Sequence, residues 1–464
     1  MERWLPPALD YISTWIEFQM RASQQPGCVF AVAHRGRVVL ERAFGYADIV
    51  TEEKLTPRHR FRVASHSKSF VAAGIMKLRE QRKVHLDDPV GQHVAELHPE
   101  IAETTIGELL SHSAGVVRDG SDAGQFQGTR PFYNREELLA ELRKPPAIAP
   151  NTRFKYSNQG YALLGLVVEA VAKEPYRAWI EREIIAASGL RETSSDTPIA
   201  TGVPLAKGHT PRIHLDRRLV IPGDDMTDAI APAAGFVGTA ADLVRFFAQL
   251  SPGAKRSVLT VASRREMIRR QWRNPNAAVE GYYGLGISSG TAAGWDWFGH
   301  GGGFHGYITR TVVIPSEELA LSVLTNATDG LAGFWADGMI HMLHAFKDRG
   351  PPARRVRDWA GRWWTTWGAL DLVPMGNVVV VANPHAFNPL VEPSEIEITG
   401  PDEGRIVQAA GYQSHGEAVR RSRDISGAIT EIWLSSIRLR PEAKVAREME
   451  RRYGAENLSV DDNA

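Results

Sequence analysis

Strand-like and helix-like segments come in blocks along this chain, and that order restricts its fold more than any other feature. Residues 28–48, CVFAVAHRGRVVLERAFGYAD, are two β-rich runs around Arg35-Gly36-Arg37, the pattern of a hairpin. Residues 65–82 then place Phe70, Val71, Gly74, Ile75 and Leu78 at helical spacing. Further helical stretches follow at 106–110, 136–142, 161–172, 176–186 and 240–250. Strand patterns return only at 283–288, 295–298, 307–314 and 319–324. A hairpin in front, helices between and strands behind predict an α+β domain whose antiparallel sheet joins the first and last parts of the segment.

Asp348-Arg-Gly-Pro-Pro-Ala-Arg-Arg355 sets two prolines and a glycine among charges, which reads as a linker. The predicted division is therefore 1–347, a linker at 348–355, and 356–464. The last part is read as a helix carrying Trp359, Trp363, Trp364 and Trp367, then β-rich runs at 378–382, 395–399, 405–409, 417–421 and 429–438. These predict a small β-barrel-like domain closed by a charged helix at 442–453 and an acidic tail. Its loop at 383–388 is expected to reach the mouth of a site in the first domain and restrict what enters.

In 464 residues, Lys+Arg and Asp+Glu are each 54, which leaves no broad basic surface for nucleic acid or anionic lipid. Neither partner is expected. The single cysteine, Cys28, excludes an intrachain disulfide and thiolate metal sites, and reads as a small buried residue. Glu2 and Asp10 break any signal-peptide pattern, and the most apolar window, 161–172, is interrupted by Glu169. A cytoplasmic, soluble protein is expected, with homo-oligomerisation left open.

Chemistry concentrates in three places. Arg62-Val-Ala-Ser-His-Ser-Lys-Ser-Phe70 carries Ser65 and Lys68 at S-x-x-K spacing where a helix begins. At i and i+3 the side chains share one helical face, so the lysine can accept the serine proton. Alone, the pair also fits an N-cap serine beside a surface lysine. Phe154-Lys155-Tyr156-Ser157-Asn158 adds a second proton carrier and a side-chain amide, and Phe298-Gly-His300-Gly-Gly-Gly303 adds a glycine-rich strand with backbone donors. Those are the groups that serine-based acyl transfer requires.

Together with Thr105-Ile-Gly-Glu-Leu-Leu-Ser-His112-Ser-Ala-Gly115, Tyr156-Ser-Asn-Gln-Gly-Tyr161, Ala234-Gly-Phe-Val-Gly-Thr-Ala-Ala-Asp-Leu243 and Tyr283-Gly-Leu-Gly286, these motifs resemble one superfamily. It is that of the serine β-lactamases and penicillin-binding proteins, in the class C-like, peptidase S12-like branch of esterases, D-aminopeptidases and D-amino-acid amidases. The resemblance covers roughly residues 25–345. It implies an antiparallel sheet flanked by helices plus an all-helical subdomain, with the segment after the linker resembling the lipocalin-like domains appended to such peptidases. By the same resemblance Ser65 is the acylated nucleophile, Lys68 and Tyr156 handle protons, and Asn158 orients substrate. The oxyanion would meet the Ser65 N–H and one from the strand after His300, in the run Gly302-Gly303, with Gly303 preferred.

His300 stands where β-lactamases carry lysine, a weaker and pH-dependent donor, so substrates without a terminal carboxylate are favoured. The expected substrate is an amide, a short peptide (D-residue-containing peptides included) or an ester; no metal or cofactor is implied. Rival readings are an acyltransferase, a true β-lactamase or penicillin-binding protein, and a non-catalytic binding protein. Several patterns are set aside. Gly286-Ile-Ser288-Ser-Gly290 fits G-x-S-x-G and Gly301-Gly-Gly303-Phe-His-Gly306 fits a dinucleotide fingerprint, but no helix follows either. His112 is read as tying a loop to the core, His66 and Ser67 as packing residues, and His305 equally as site lining or plain loop. Asn326-Ala-Thr328 is a glycosylation sequon that a cytoplasmic chain does not use.

Overall fold

The computed structural model describes residues 2–275, 280–410 and 414–454. The expected acidic tail lies largely outside them. Two compact units emerge: Gln24–Ala336, and a second formed by Met1–Ser23 together with Asp337–Ala464. The opening helix, expected in the first domain, therefore groups with the C-terminal segment.

The unit Gln24–Ala336 is built on a nine-stranded antiparallel sheet. Its strands are β1 (Gly27–His34), β2 (Arg37–Asp48), β3 (Glu53–Lys54), β4 (Trp272–Arg273), β5 (Gly281–Tyr283), β6 (Ser288–Ala292), β7 (Trp295–Phe304), β8 (Tyr307–Ile314) and β9 (Leu319–Thr325). They lie in the order β3-β2-β1-β9-β8-β7-β6-β5-β4. The expected meeting of front and back is the β1/β9 seam, in register from Cys28 opposite Thr325 to His34 opposite Leu319. Every residue of β1 and β9 is buried, which accounts for their near-continuous apolar runs. The predicted single strand at 283–288 is instead a turn between β5 and β6, where Gly284 N–H bonds Ile287 C=O at 2.8 Å and Gly286 has φ +70°.

Helix α2 (Ser67–Glu80) is the central helix of this unit. Its residues 67–76 are all buried, and Phe70 stacks on Phe246 with ring centroids 3.8 Å apart. Phe246 belongs to α4 (Ala240–Leu250), which packs on β1, β8 and β9. Helix α3 (Asn158–Ala172) packs beside α2 and is capped by Ser157, whose Oγ accepts from Gly160 N–H at 2.8 Å.

In the other unit, an eight-stranded sheet runs from β10 (Gly361–Thr365) through β11 (Gly368–Met375), β12 (Val378–Ala382), β13 (Ser394–Ile398), β14 (Glu403–Gln408), β15 (Ala418–Arg423) and β16 (Ile429–Leu434) to β17 (Ile437–Leu439). Trp364 exchanges two backbone hydrogen bonds with Arg440, just past β17, and so nearly closes the sheet into a barrel. The helix expected over the tryptophans is absent: Trp363 and Trp364 lie in β10, Trp359 is buried in a short 3₁₀ turn, and Trp367 is 97% exposed at the β10–β11 turn. Gly361 and Gly368 bracket β-favouring Trp-Trp-Thr-Thr, and that local preference prevails over a spacing that also fits a helix. The charged helix, α6 (Glu442–Tyr453), is present.

The same unit contains helices α1 (Leu5–Ala22) and, from Asp337 on, α5 (Ala332–Arg349). The 383–388 loop packs on α1: Gln19 Nε2 donates to Pro384 C=O at 2.6 Å, and Phe18 meets His385 edge-on. No described helix is long and apolar enough to cross a membrane.

Candidate active site

Ser65 sits in a 3₁₀ turn, Ala64–His66, that leads into α2. Ala64 has φ +49°, a left-handed backbone that costs a non-glycine residue about 1–3 kcal/mol. Three bonds hold it there. Val63 N–H bonds Phe236 C=O at 3.0 Å, Phe236 N–H bonds Ser67 Oγ at 3.0 Å, and Ser67 Oγ donates to Ala64 C=O at 2.6 Å. Ser67 is thus a clamp on the turn. His66 braces it from the sheet side, between Val63 C=O at 2.9 Å and Thr311 Oγ1 at 2.9 Å. Burial pushes the His66 imidazole down to about 3, so it stays neutral.

The turn brings Ser65 against Lys68 and Tyr156. Tyr156 Oη donates to Ser65 Oγ at 2.8 Å, and Lys68 Nζ lies 3.1 Å from the same oxygen. Lys68 is fully buried. Its Nζ also meets Asn158 Oδ1 at 2.6 Å and Ala233 C=O at 2.8 Å. Burial holds the Lys68 ammonium well below the usual lysine range, partly opposed by the Asp119 carboxylate. As a free amine, Lys68 would spend two N–H groups on Asn158 and Ala233 and leave its lone pair toward Ser65. Burial pushes the Tyr156 phenol well above its usual range, so it stays protonated as a donor.

Asn158 in turn donates from Nδ2 to Asp119 Oδ1 at 2.5 Å, and its own N–H bonds Arg118 C=O at 2.9 Å. The Arg118 guanidinium lies 5.8 Å from the Tyr156 ring centroid and pairs with Asp119. Arg118, Asp119 and the Ala233 carbonyl escaped the sequence reading. No motif marks them; only the tertiary fold brings them to Lys68 and Tyr156.

The glycine-rich strand passes close to the nucleophile. A Cβ on Gly302 would meet Val63 C=O at 2.3 Å and Ala64 Cβ at 3.1 Å, so β7 can run flush against the turn only with glycine there. Gly303, pairing with Ile308, follows it in the strand. His300 is placed differently from the expectation of a donor held out to substrate. It is 4% exposed, with Nδ1 2.6 Å from Gly301 C=O and Nε2 3.0 Å from Tyr283 Oη. Both ring nitrogens are engaged within the protein, and burial keeps the ring neutral. Ser288, of the set-aside G-x-S-x-G pattern, lies in β6. Among the described residues no cluster of three or more His, Cys, Asp or Glu could hold a metal ion.

A family model described as beta-lactamase matches residues 12–341. The chain belongs to the beta-lactamase family. Among curated relatives, protein flp of Staphylococcus aureus strain MW2 is 30% identical over 176 residues, 36% of this chain. The match spans about a third of flp, 34% of its length. Esterase EstB of Burkholderia gladioli is 26% identical over 358 residues, 68% of this chain and 89% of EstB. Among solved structures, the octameric penicillin-binding protein homologue from Pyrococcus abyssi superposes with a TM-score of 0.67 at 22% identity, covering 93% of this chain and 99% of that one. The D-amino acid amidase of Ochrobactrum anthropi SV3 superposes with a TM-score of 0.62 at 21% identity, covering 74% and 97%.

Proposed function

We propose that this protein is a serine hydrolase that cleaves an amide, short-peptide or ester bond through an acyl-enzyme on Ser65. The observation that carries the reading is that Ser65 Oγ lies between a phenol and a desolvated amine, at 2.8 Å from Tyr156 and 3.1 Å from Lys68. Lys68 as free amine takes the Ser65 proton while Oγ bonds the substrate carbonyl carbon. The tetrahedral oxyanion is met by backbone N–H groups, those of Ser65 and Gly303 in this reading. As the carbonyl re-forms, the bond to the leaving nitrogen or oxygen breaks, and Tyr156 supplies its proton. The Lys68 ammonium then returns a proton to Tyr156. Water repeats the cycle on the acyl-enzyme, releasing the acid and restoring Ser65.

Two further observations support the substrate class. A neutral, internally bonded His300 offers no cation for a substrate carboxylate, which weighs against β-lactams and toward uncharged amides and esters. The D-amino acid amidase and the esterase among the similar proteins act on these bond types. The octameric homologue supports self-association, which light scattering of the purified chain tests.

Intact-mass analysis after a fluorophosphonate probe tests the mechanism. One adduct is expected, lost in Ser65→Ala; an adduct that persists in that variant, or maps to Ser288, overturns the reading. p-Nitrophenyl esters and D- and L-aminoacyl nitroanilides then define the substrate.

A further inference from the structure

We propose that His112 is a positioning residue for Tyr156, fixing the direction along which the phenol meets Ser65. The proposal rests on the reading that Tyr156, held against Ser65, supplies the proton to the leaving group. Three contacts from His112 converge on the residues around the phenol. Its C=O accepts from Lys155 N–H at 2.7 Å, and its Nδ1 accepts from Ser157 N–H at 3.1 Å. Its ring lies against the Tyr156 ring between them, centroids 4.1 Å apart and planes at 38°.

The histidine is itself rigidly held. With Nδ1 accepting, Nε2 carries the hydrogen, and that atom is buried with no hydrogen-bond partner among the described residues. It sits in an aromatic surround, with Tyr283 and Tyr161 at ring-centroid distances of 4.8 and 5.0 Å. Burial, with Lys68 as the largest charge contribution, keeps the ring neutral. The His112 backbone is left-handed, φ +60°, so the ring and the carbonyl can both address the 155–157 segment from one residue. A core histidine needs none of this. Clamping the backbone on both sides of one side chain, and its face as well, suits a phenol whose hydroxyl must stay 2.8 Å from a nucleophile.

The test separates the contacts. His112→Asn keeps a short side-chain acceptor and tolerates a left-handed backbone, whereas His112→Phe keeps a ring and leaves Ser157 N–H without its partner. His112→Ala loses both. For an aminoacyl nitroanilide, His112→Ala should lower kcat about 10- to 100-fold with KM changed less than about twofold, the cost expected of a misplaced proton donor. His112→Asn should recover part of that loss. On a Tyr156→Phe background, either replacement should cost nothing further, because the group being positioned is gone.

If His112 replacements cost as much without the Tyr156 hydroxyl as with it, or raise KM alone, the positioning role is overturned. Should His112→Ala fail to fold, the cycle of His112→Asn with Tyr156→Phe carries the same test. Fluorophosphonate labelling of the unaltered protein keeps the two readings apart. No adduct at Ser65 refutes the hydrolase reading, while labelling with an additive cycle refutes only the role of His112.

Discussion

Lys68 Nζ lies nearer to Asn158 Oδ1, at 2.6 Å, than to the Ser65 hydroxyl, at 3.1 Å. Asn158 thus takes one N–H of the lysine and sets where the remaining valence points. Replacing it by alanine should lower kcat by about 10- to 100-fold, beyond any change in KM, the scale expected for a misaligned base. Steady-state kinetics on one ester and one anilide would show this. A pure KM effect would leave Asn158 as a substrate ligand only.

Asp119 bears on the same lysine through charge. Activity should rise with pH as the Lys68 ammonium loses its proton, along a limb below the ordinary lysine range because burial disfavours the cation. Asp119 opposes that by favouring the cation. Asp119→Asn should therefore move the limb of kcat/KM to lower pH, and a shift to higher pH would contradict the assignment of Lys68 as the base.

Tyr156→Phe removes the phenol while keeping the ring against His112. The anilide rate should fall about 10²- to 10⁴-fold, the usual worth of a positioned acid. Activated p-nitrophenyl esters, whose leaving group departs without a proton, should lose far less. Equal losses on both substrates would remove Tyr156 from leaving-group protonation.

His66 couples the core to pH. Its folded value is about 3 against an ordinary 6.5, so the unfolded chain binds a proton that the folded one refuses. Its contribution is intact above about 6.5 and is lost as pH falls toward 3, at about 1.4 kcal/mol per pH unit. His112 and His300 are shifted in the same direction, so urea midpoints between pH 7 and 5 should fall with more than one proton taken up on unfolding. A flat profile would mean these rings are charged or exposed.

Gly302→Ala should be damaging although it adds one methyl group. The added Cβ would meet Val63 C=O at 2.3 Å, so β7 or the Ser65 turn must move. Stability should drop by about 1–3 kcal/mol and fluorophosphonate labelling should slow. Normal labelling would show that the strand yields without disturbing the nucleophile.

What was legible beforehand follows the range of the interactions. Ser65 and Lys68 share one turn, and Tyr156 and Asn158 flank one helix cap, so short motifs mark them. The block order of strands and helices likewise foretold the β1/β9 seam. Asp119, Arg118 and the Ala233 carbonyl reach the site through folding alone. His300 meets Tyr283, which comes from β5, two strands away in the sheet, so no local motif marks that contact. The tryptophans, at spacings of four and three residues, suit a helix, while the threonines beside them favour a strand and Gly361 disfavours a helix.

The exchange between Trp364 and Arg440 also bears on how this chain behaves in a crowded solution. A sheet that ends in open air offers its unpaired N–H and C=O groups to any passing strand, and edge-to-edge growth begins there. The C-terminal barrel spends those groups on itself. The nine-stranded sheet takes another course: its outermost strands, Glu53–Lys54 and Trp272–Arg273, are two residues long, and Glu53, Lys54 and Arg273 put charge on them.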